Sequence, residues 1–314
     1  KISQRFYRLH AKLLGQKQIT MADRGAKVGE IKKQFPFPTA LEIVETAFNK
    51  FGPQYAKMLL DFVANGQMDV YPKTGKTGGA YCASTDQAPT FILLNHVDSL
   101  RSVETLAHEM GHAIHSELSR PQPIHYRGHS TATAEVASTF FEQLATAELE
   151  HHLSAKEKII FLHNRIIGDI ASIFRQIACF NFELDLHRQI RQEGQLPKEK
   201  IATLLNKNMS AYLGSAVKVS PDDGYFFVSW SHIRHFFYVY SYAFGQLVSR
   251  ALFAKWQEDP SYASKIEQFL KAGRSASPEE IFKQIGIDTT KPAFFEAGLK
   301  AIEADIAKLE KLAK

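Results

Sequence analysis

Cysteine is almost missing from this chain: only Cys82 and Cys179 occur in 314 residues. Two thiols cannot build the disulfide framework on which small secreted domains depend. Neither belongs to a CxxC pair or a Cys/His cluster, so neither reads as a metal ligand. They read as free thiols of a reducing compartment, and a cytoplasmic location is the expectation. Long hydrophobic runs are missing too. No stretch reaches the roughly 18 apolar residues of a membrane-spanning helix, and no signal peptide opens the sequence. Positive charge is present but dispersed. The net charge is +5 without a Lys/Arg block interleaved with aromatics, which excludes nucleic acid as the expected partner. There is no internal repeat and no low-complexity linker. What is present is an ordinary globular composition, 45% hydrophobic and 23% charged. The chain starts at Lys1, inside what reads as a helix, and the expectation is a mature form or a fragment.

Apolar spacing predicts a helix over 2–14, a polar segment to about 34, a helix capped by Thr39, a break at Gly52-Pro53 and a second helix to about 63. The segments 68–71 and 91–95 look like short strands, joined through the Gly-rich stretch Thr74-Gly-Lys-Thr-Gly-Gly-Ala80. That stretch fails the P-loop pattern and reads as a flexible loop or hairpin. From residue 99 onward helices dominate, over 99–118, 133–153, 154–193, 198–212, 232–256, 260–272, 277–285 and 292–312. The expected fold class is mainly α, with a small sheet at about 68–95 just before the helix over 99–118.

That helix carries His108-Glu109-Met110-Gly111-His112. Residues four apart share a helical face, so His108 and His112 can bind one metal through imidazole nitrogens. Glu109 faces the same cleft and can take a proton from metal-bound water. Zinc suits this donor set and lowers the pKa of bound water to about 7. A bare HExxH also arises by chance on solvated helices, so the helical context and the slim Gly111 matter. A catalytic zinc needs a third protein ligand and an open position. The HExxHxxGxxH continuation is missing, so that ligand must come from elsewhere. Glu135 is the candidate, near the start of the next helix and among small residues. Glu142, two turns on, is either a surface acid or a carboxylate that holds an imidazole. Glu104 is equally open between these roles. His115 reads as a polar core or rim residue, His125 and His129 as exposed loop residues, and His151 and His152 as a helix end.

Taken together, His108-Glu-Met-Gly-His-Ala-Ile-His115 and Ala134-Glu-Val-Ala-Ser-Thr139 resemble the oligoendopeptidase F group of the thimet-oligopeptidase-like zinc metallopeptidases. Gly78-Gly-Ala-Tyr-Cys82, Leu93-Leu-Asn95, Ser277-Pro-Glu-Glu280 and Phe294-Phe-Glu-Ala-Gly-Leu299 fit the same group. The resemblance implies a zincin-like catalytic domain over 1–314 and one zinc per chain on His108, His112 and Glu135. It implies Glu109 as general base and short peptides as substrates. It also implies that His232 and Tyr242, within Trp230-Ser-His-Ile-Arg-His-Phe-Phe-Tyr-Val-Tyr-Ser-Tyr-Ala-Phe-Gly245, donate hydrogen bonds to the tetrahedral intermediate. Fixed donors of this kind are what developing oxyanion charge requires. Tyr238 and Tyr240 line the same stretch, and His235 stands where many relatives have Tyr. Relatives in the group are about twice as long, so an N-terminal lobe forming the other channel wall is a further implied partner.

Two expectations remain open to the structure. The strand over 91–95 is expected to offer an edge to an extended substrate, with Gly78 and Gly79 beside it. The activity expected is endopeptidase cleavage of short oligopeptides, against a non-catalytic peptide-binding module or a zinc carboxypeptidase. The Ala134-Glu-Val-Ala-Ser-Thr139 segment favours the endopeptidase.

Overall fold

The computed structural model of the chain describes residues 1–313. It divides into two compact units, each interrupted in sequence. One comprises Lys1–Glu30, Ala155–Phe244 and the segment from Leu299; the other comprises Ile31–Ser154 and Gly245–Gly298.

In the first unit the amphipathic helix Ile2–Leu13 buries Phe6, Tyr7, His10 and Ala11. The Ser3 hydroxyl donates to the Tyr212 carbonyl at 2.7 Å, tying this helix to the end of helix Lys198–Leu213. Strands Ile19–Thr20 and Val217–Lys218 pair in parallel. The stretch expected as one helix over 154–193 is Ala155–Ile170, a π-helical turn at Ala171–Arg175, and Gln176–Glu193. The segment expected as continuous helix over 232–256 is broken. A 3-10 turn at Ser231–His235 is followed by Phe236 and Phe237 at φ 37° and 57°, and the α-helix starts only at Tyr240. The aromatics keep helical spacing in sequence, but two consecutive residues in the left-handed region cannot belong to a right-handed helix.

In the second unit, helices Phe37–Phe51 and Pro53–Ala64 precede the sheet. Pro36, rather than Thr39, sits at the N-cap, and Pro38 occupies the first turn, where its missing N–H costs nothing. Phe48, Phe51, Phe140 and Phe141 form an aromatic cluster with edge contacts at 5.0 Å for both Phe48–Phe141 and Phe51–Phe140. The sheet has three strands in the order Met68–Asp69, Phe91–Leu93, Tyr81–Ala83, the first pair parallel and the second antiparallel. Phe91–Leu93 is therefore the central strand, and the expectation that it offers a free edge is wrong. Both its hydrogen-bonding sides are occupied, since the Gly-rich stretch ends in a strand of its own. The two edges belong to Met68–Asp69 and Tyr81–Ala83.

Two sequence neighbours, the helices Leu100–Ser119 and Thr131–Leu149, pack against each other. Ser99 caps the first by accepting from the Ser102 N–H, and Ser130 with Thr133 forms a capping box on the second. Val103, Leu106, Ala107, Met110, Ala113 and Ile114 form the buried stripe of the first. A Cβ on Gly111 would lie 2.7 Å from the Ser138 Cα, so the backbones meet at that glycine.

Candidate metal centre

One turn of the first helix and the start of the second define the site. His108 and His112 project from one face with ring centroids 5.0 Å apart. Glu135 Oε2 lies 3.4 Å from His108 Nε2 and 4.0 Å from His112 Nε2. One ligand atom from each of these three residues falls within 4.8 Å of the others, and they form the only such set of three His, Cys, Asp or Glu groups among the described residues. Ligand bonds of about 2.0–2.1 Å at tetrahedral angles put donors about 3.4 Å apart; the Glu135–His108 spacing matches this and the Glu135–His112 spacing is wider. Glu135 is held from behind: Ser138 Oγ donates to its Oε2 at 3.2 Å, and a Cβ on Gly245 would lie 2.7 Å from the Glu135 Cβ. Glycine at 245 lets helix Tyr240–Glu258 approach the third donor, a role that sequence spacing did not reveal.

Glu142, left open between two roles, takes the supporting one. His108 Nδ1 donates to Glu142 Oε2 at 2.8 Å, which frees Nε2 to face Glu135 and His112. Arg101 lies 3.5 Å from the other Glu142 oxygen and 3.4 Å from Glu104. Burial alone would lower the His108 pKa, but its hydrogen bonds to Glu135 and Glu142 and their charges outweigh this and push it up to about 10. Burial would raise Glu135, and the His108 hydrogen bond reverses this and holds it low. Burial and the His108 charge lower His112. Two carboxylates around one imidazole thus demand a positive charge, which a proton on His108 or a cation at Nε2 can supply. Binding the cation releases that proton.

Glu109 is buried. Burial raises its pKa; His108 opposes this and the Glu135 charge adds to it. A carboxylate that binds protons more readily than usual, one residue from a ligand, can act as a base. The Cys82 thiol is pushed up to about 12 by burial and then by the Glu109 charge, so it stays protonated and unreactive.

These residues open onto a cavity of about 720 Å³. Ala80, Tyr81, Cys82 and Ala83 line one wall, and Arg127, Gly128, His129 and Arg274 line another. Gly78 and Gly79 are exposed in the turn before that wall, with Gly79 at φ 81° and its carbonyl accepting from Asn95 Nδ2 at 2.8 Å. His129, expected to be exposed, is half-buried, its ring 6.0 Å from His112 and 5.1 Å from His115. The loop folds back because Arg274 Nε and N–H bond the Arg127 and Tyr126 carbonyls, a long-range contact with no local signal. His115 is fully buried, a core residue. In the first unit, His232 Nε2 and the Tyr242 hydroxyl lie 3.1 Å apart, Tyr238 stacks on His232 at 5.9 Å, and His235 is 6.4 Å from Tyr238. Burial, then the charges of His235 and Arg175, lower the His232 pKa. Tyr240 is exposed at the start of its helix.

Residues 11–301 match Peptidase family M3. The chain belongs to this family. The M3 assignment implies a catalytic metal, and the fold is the zincin-like one expected: mainly α, with a small sheet before the HExxH helix. The chain is 32% identical over 267 residues to oligopeptidase PepF of Bacillus subtilis, covering 83% of this chain and 39% of that protein. It is 30% identical over 316 residues to the group B oligopeptidase PepB of Streptococcus agalactiae, covering 98% and 52%. The chain thus spans about half, or less, of the length of these relatives. A solved structure from Chlamydophila abortus superposes with a TM-score of 0.89 at 26% identity over 99% of this chain and 53% of that one. Oligoendopeptidase-F from Enterococcus faecium superposes with a TM-score of 0.73 at 24% identity over 99% and 50%, a likeness of fold.

Proposed function

We propose that this M3 chain is the catalytic portion of a zinc-dependent endopeptidase that hydrolyses internal bonds of short oligopeptides. The observation that carries this reading is the convergence of His108, His112 and Glu135 beside the buried Glu109, on a cavity walled by a free strand edge. His108 Nε2, His112 Nε2 and Glu135 Oε2 would hold one zinc. Bound there, zinc supplies a Lewis acid that polarises the scissile carbonyl and makes water a nucleophile near neutral pH. Glu142 fixes the His108 ring and its tautomer through Nδ1.

The chain's own residues do the rest. The outer edge of Tyr81–Ala83 offers backbone N–H and C=O groups with which an extended peptide pairs, placing it along the cavity wall. Glu109 takes a proton from the attacking water and passes it to the leaving amine. Oxyanion donation by His232 and Tyr242 is part of the same reading and rests on the family resemblance. Substrate contacts by Gly78, Gly79, Tyr238, Tyr240 and His235 rest on it likewise. A cytoplasmic location is supported by the two free thiols; no helix among the described residues is long and apolar enough to cross a membrane.

The test is zinc content together with hydrolysis of internally quenched peptides. One zinc per chain is expected, with Glu109→Gln keeping the metal and losing on the order of a hundredfold or more in kcat. A metal-free protein, or a Glu109→Gln variant as active as the wild type, sinks the proposal.

A further inference from the structure

Three arginines line the cavity of the metal centre, and they are not equivalent. Arg120 is fully engaged: its Nε lies 2.9 Å from both Glu117 oxygens, and Nη2 donates to the Ala88 carbonyl and the Thr90 hydroxyl. Arg127 pairs with Asp86 at 3.4 Å and donates from Nε to the Gln122 carbonyl at 3.0 Å. Arg274 differs. Its Nε donates to the Arg127 carbonyl at 3.1 Å and its backbone N–H to the Tyr126 carbonyl at 2.7 Å. No carboxylate of the described residues forms an ion pair with it, although both other arginines of the cavity have one.

The base of Arg274 is fixed. Gly273 has φ 58°, and a Cβ there would lie 2.3 Å from the Tyr126 carbonyl oxygen, so the turn is seated directly on the 126–128 loop. With Nε spent on a carbonyl, the guanidinium plane is oriented and its two terminal nitrogens remain to donate. Glu109 and Glu135 belong to the metal centre, where they would offset the two positive charges of a zinc ion held there. The cavity is left with one oriented, uncompensated cation, and a planar fork of this kind suits a carboxylate.

We propose that Arg274 is a specificity residue that binds a carboxylate of the peptide substrate, so that the site favours peptides with an acidic group close to the scissile bond. This rests on the peptidase reading above. The carboxylate comes from an Asp or Glu side chain or from a free C-terminus, and the experiment separates the two.

Matched peptides carry Glu or Gln at each position on either side of the cleaved bond, each made with a C-terminal carboxylate or amide. In one register the charged peptide is expected to exceed its neutral partner about tenfold in kcat/KM, mainly through KM. A Glu/Gln ratio assigns the contact to a side chain; an acid/amide ratio assigns it to the C-terminus. The ratio falls to about one in Arg274→Gln and takes an intermediate value in Arg274→Lys, which keeps the charge and loses the fork. Equal losses for charged and neutral peptides in Arg274→Gln, or no ratio above one in the wild type, overturn the inference. The same pairs are titrated calorimetrically into the zinc-loaded Glu109→Gln protein. If the wild type cleaves nothing, a binding preference that vanishes on adding Arg274→Gln leaves this inference standing while the catalytic reading fails. Binding without charge preference overturns the inference by itself.

Discussion

At the scale of single residues, the candidate centre depends on how an imidazole is held as much as on which imidazole it is. His108 donates from Nδ1 to Glu142 at 2.8 Å and so presents Nε2 to Glu135. Removing the carboxylate frees the ring to rotate and lowers the basicity of the donor nitrogen. Glu142→Ala is expected to weaken zinc binding by about 10–100-fold, and Glu142→Gln by less, because the amide oxygen still accepts from Nδ1. Competition with a metallochromic chelator measures this, and equal affinities in all three proteins would remove Glu142 from the site. The pairing of Glu135 with Glu142 was partly legible, since residues seven apart share a helical face. Arg274 was not legible, because nothing near it in sequence marks a metal-bearing cavity.

At the scale of elements, the site is two helices brought close enough for donors from both to meet. Gly111 permits that approach. An added methyl would lie 2.7 Å from the Ser138 Cα and 3.0 Å from the Ala137 carbonyl oxygen, backbone atoms that cannot step aside. Gly111→Ala should cost about 1–3 kcal/mol and weaken zinc binding as Glu135 is pushed from His108. Gly168 provides the contrast. It is exposed in helix Ala155–Ile170, and nothing lies within 4 Å of its would-be Cβ. Gly168→Ala should stabilise by about 0.5–1 kcal/mol. Urea midpoints of the two variants should move in opposite directions; a Gly111→Ala protein as stable as wild type would mean the helices are not in register as described. The sheet belongs to this scale too. Short apolar runs announced two strands, but Tyr81–Ala83 is three residues long and partly exposed, too short for any periodicity to show.

At the scale of the whole chain, segments far apart in sequence are joined through buried polar contacts. His10 Nδ1 and His163 Nε2 lie 2.9 Å apart across 153 residues, and His10 Nε2 is 3.0 Å from the Asp23 carbonyl. Both rings are fully buried. The Asp23 carbonyl accepts a hydrogen bond from His10 Nε2–H, so in the neutral ring His10 Nδ1 accepts from His163 Nε2–H. Burial, then the neighbouring His10, lowers His163 to about 4, and burial lowers His10. A depressed histidine pKa means that the unfolded chain binds more protons than the folded one below about pH 6.5. The stabilisation is therefore complete above that value and is lost as the pH falls toward 4, by about 3 kcal/mol for His163. Urea unfolding at stepped pH should show this slope, and His163→Phe should flatten it. A wild-type midpoint constant from pH 7 to 4.5 would contradict the assignment.

By itself the sequence determined the family, the mainly α class and the HExxH turn, because these are carried by local spacing: donors four apart on a helix, caps before apolar stripes, short motifs in order. Tertiary structure alone decided which strands keep a free edge, where the helix after His232 breaks, and that Gly245 and Arg274 stand at the metal cavity. Each of those facts depends on two backbones meeting across a long stretch of chain, and local periodicity holds no record of such a meeting.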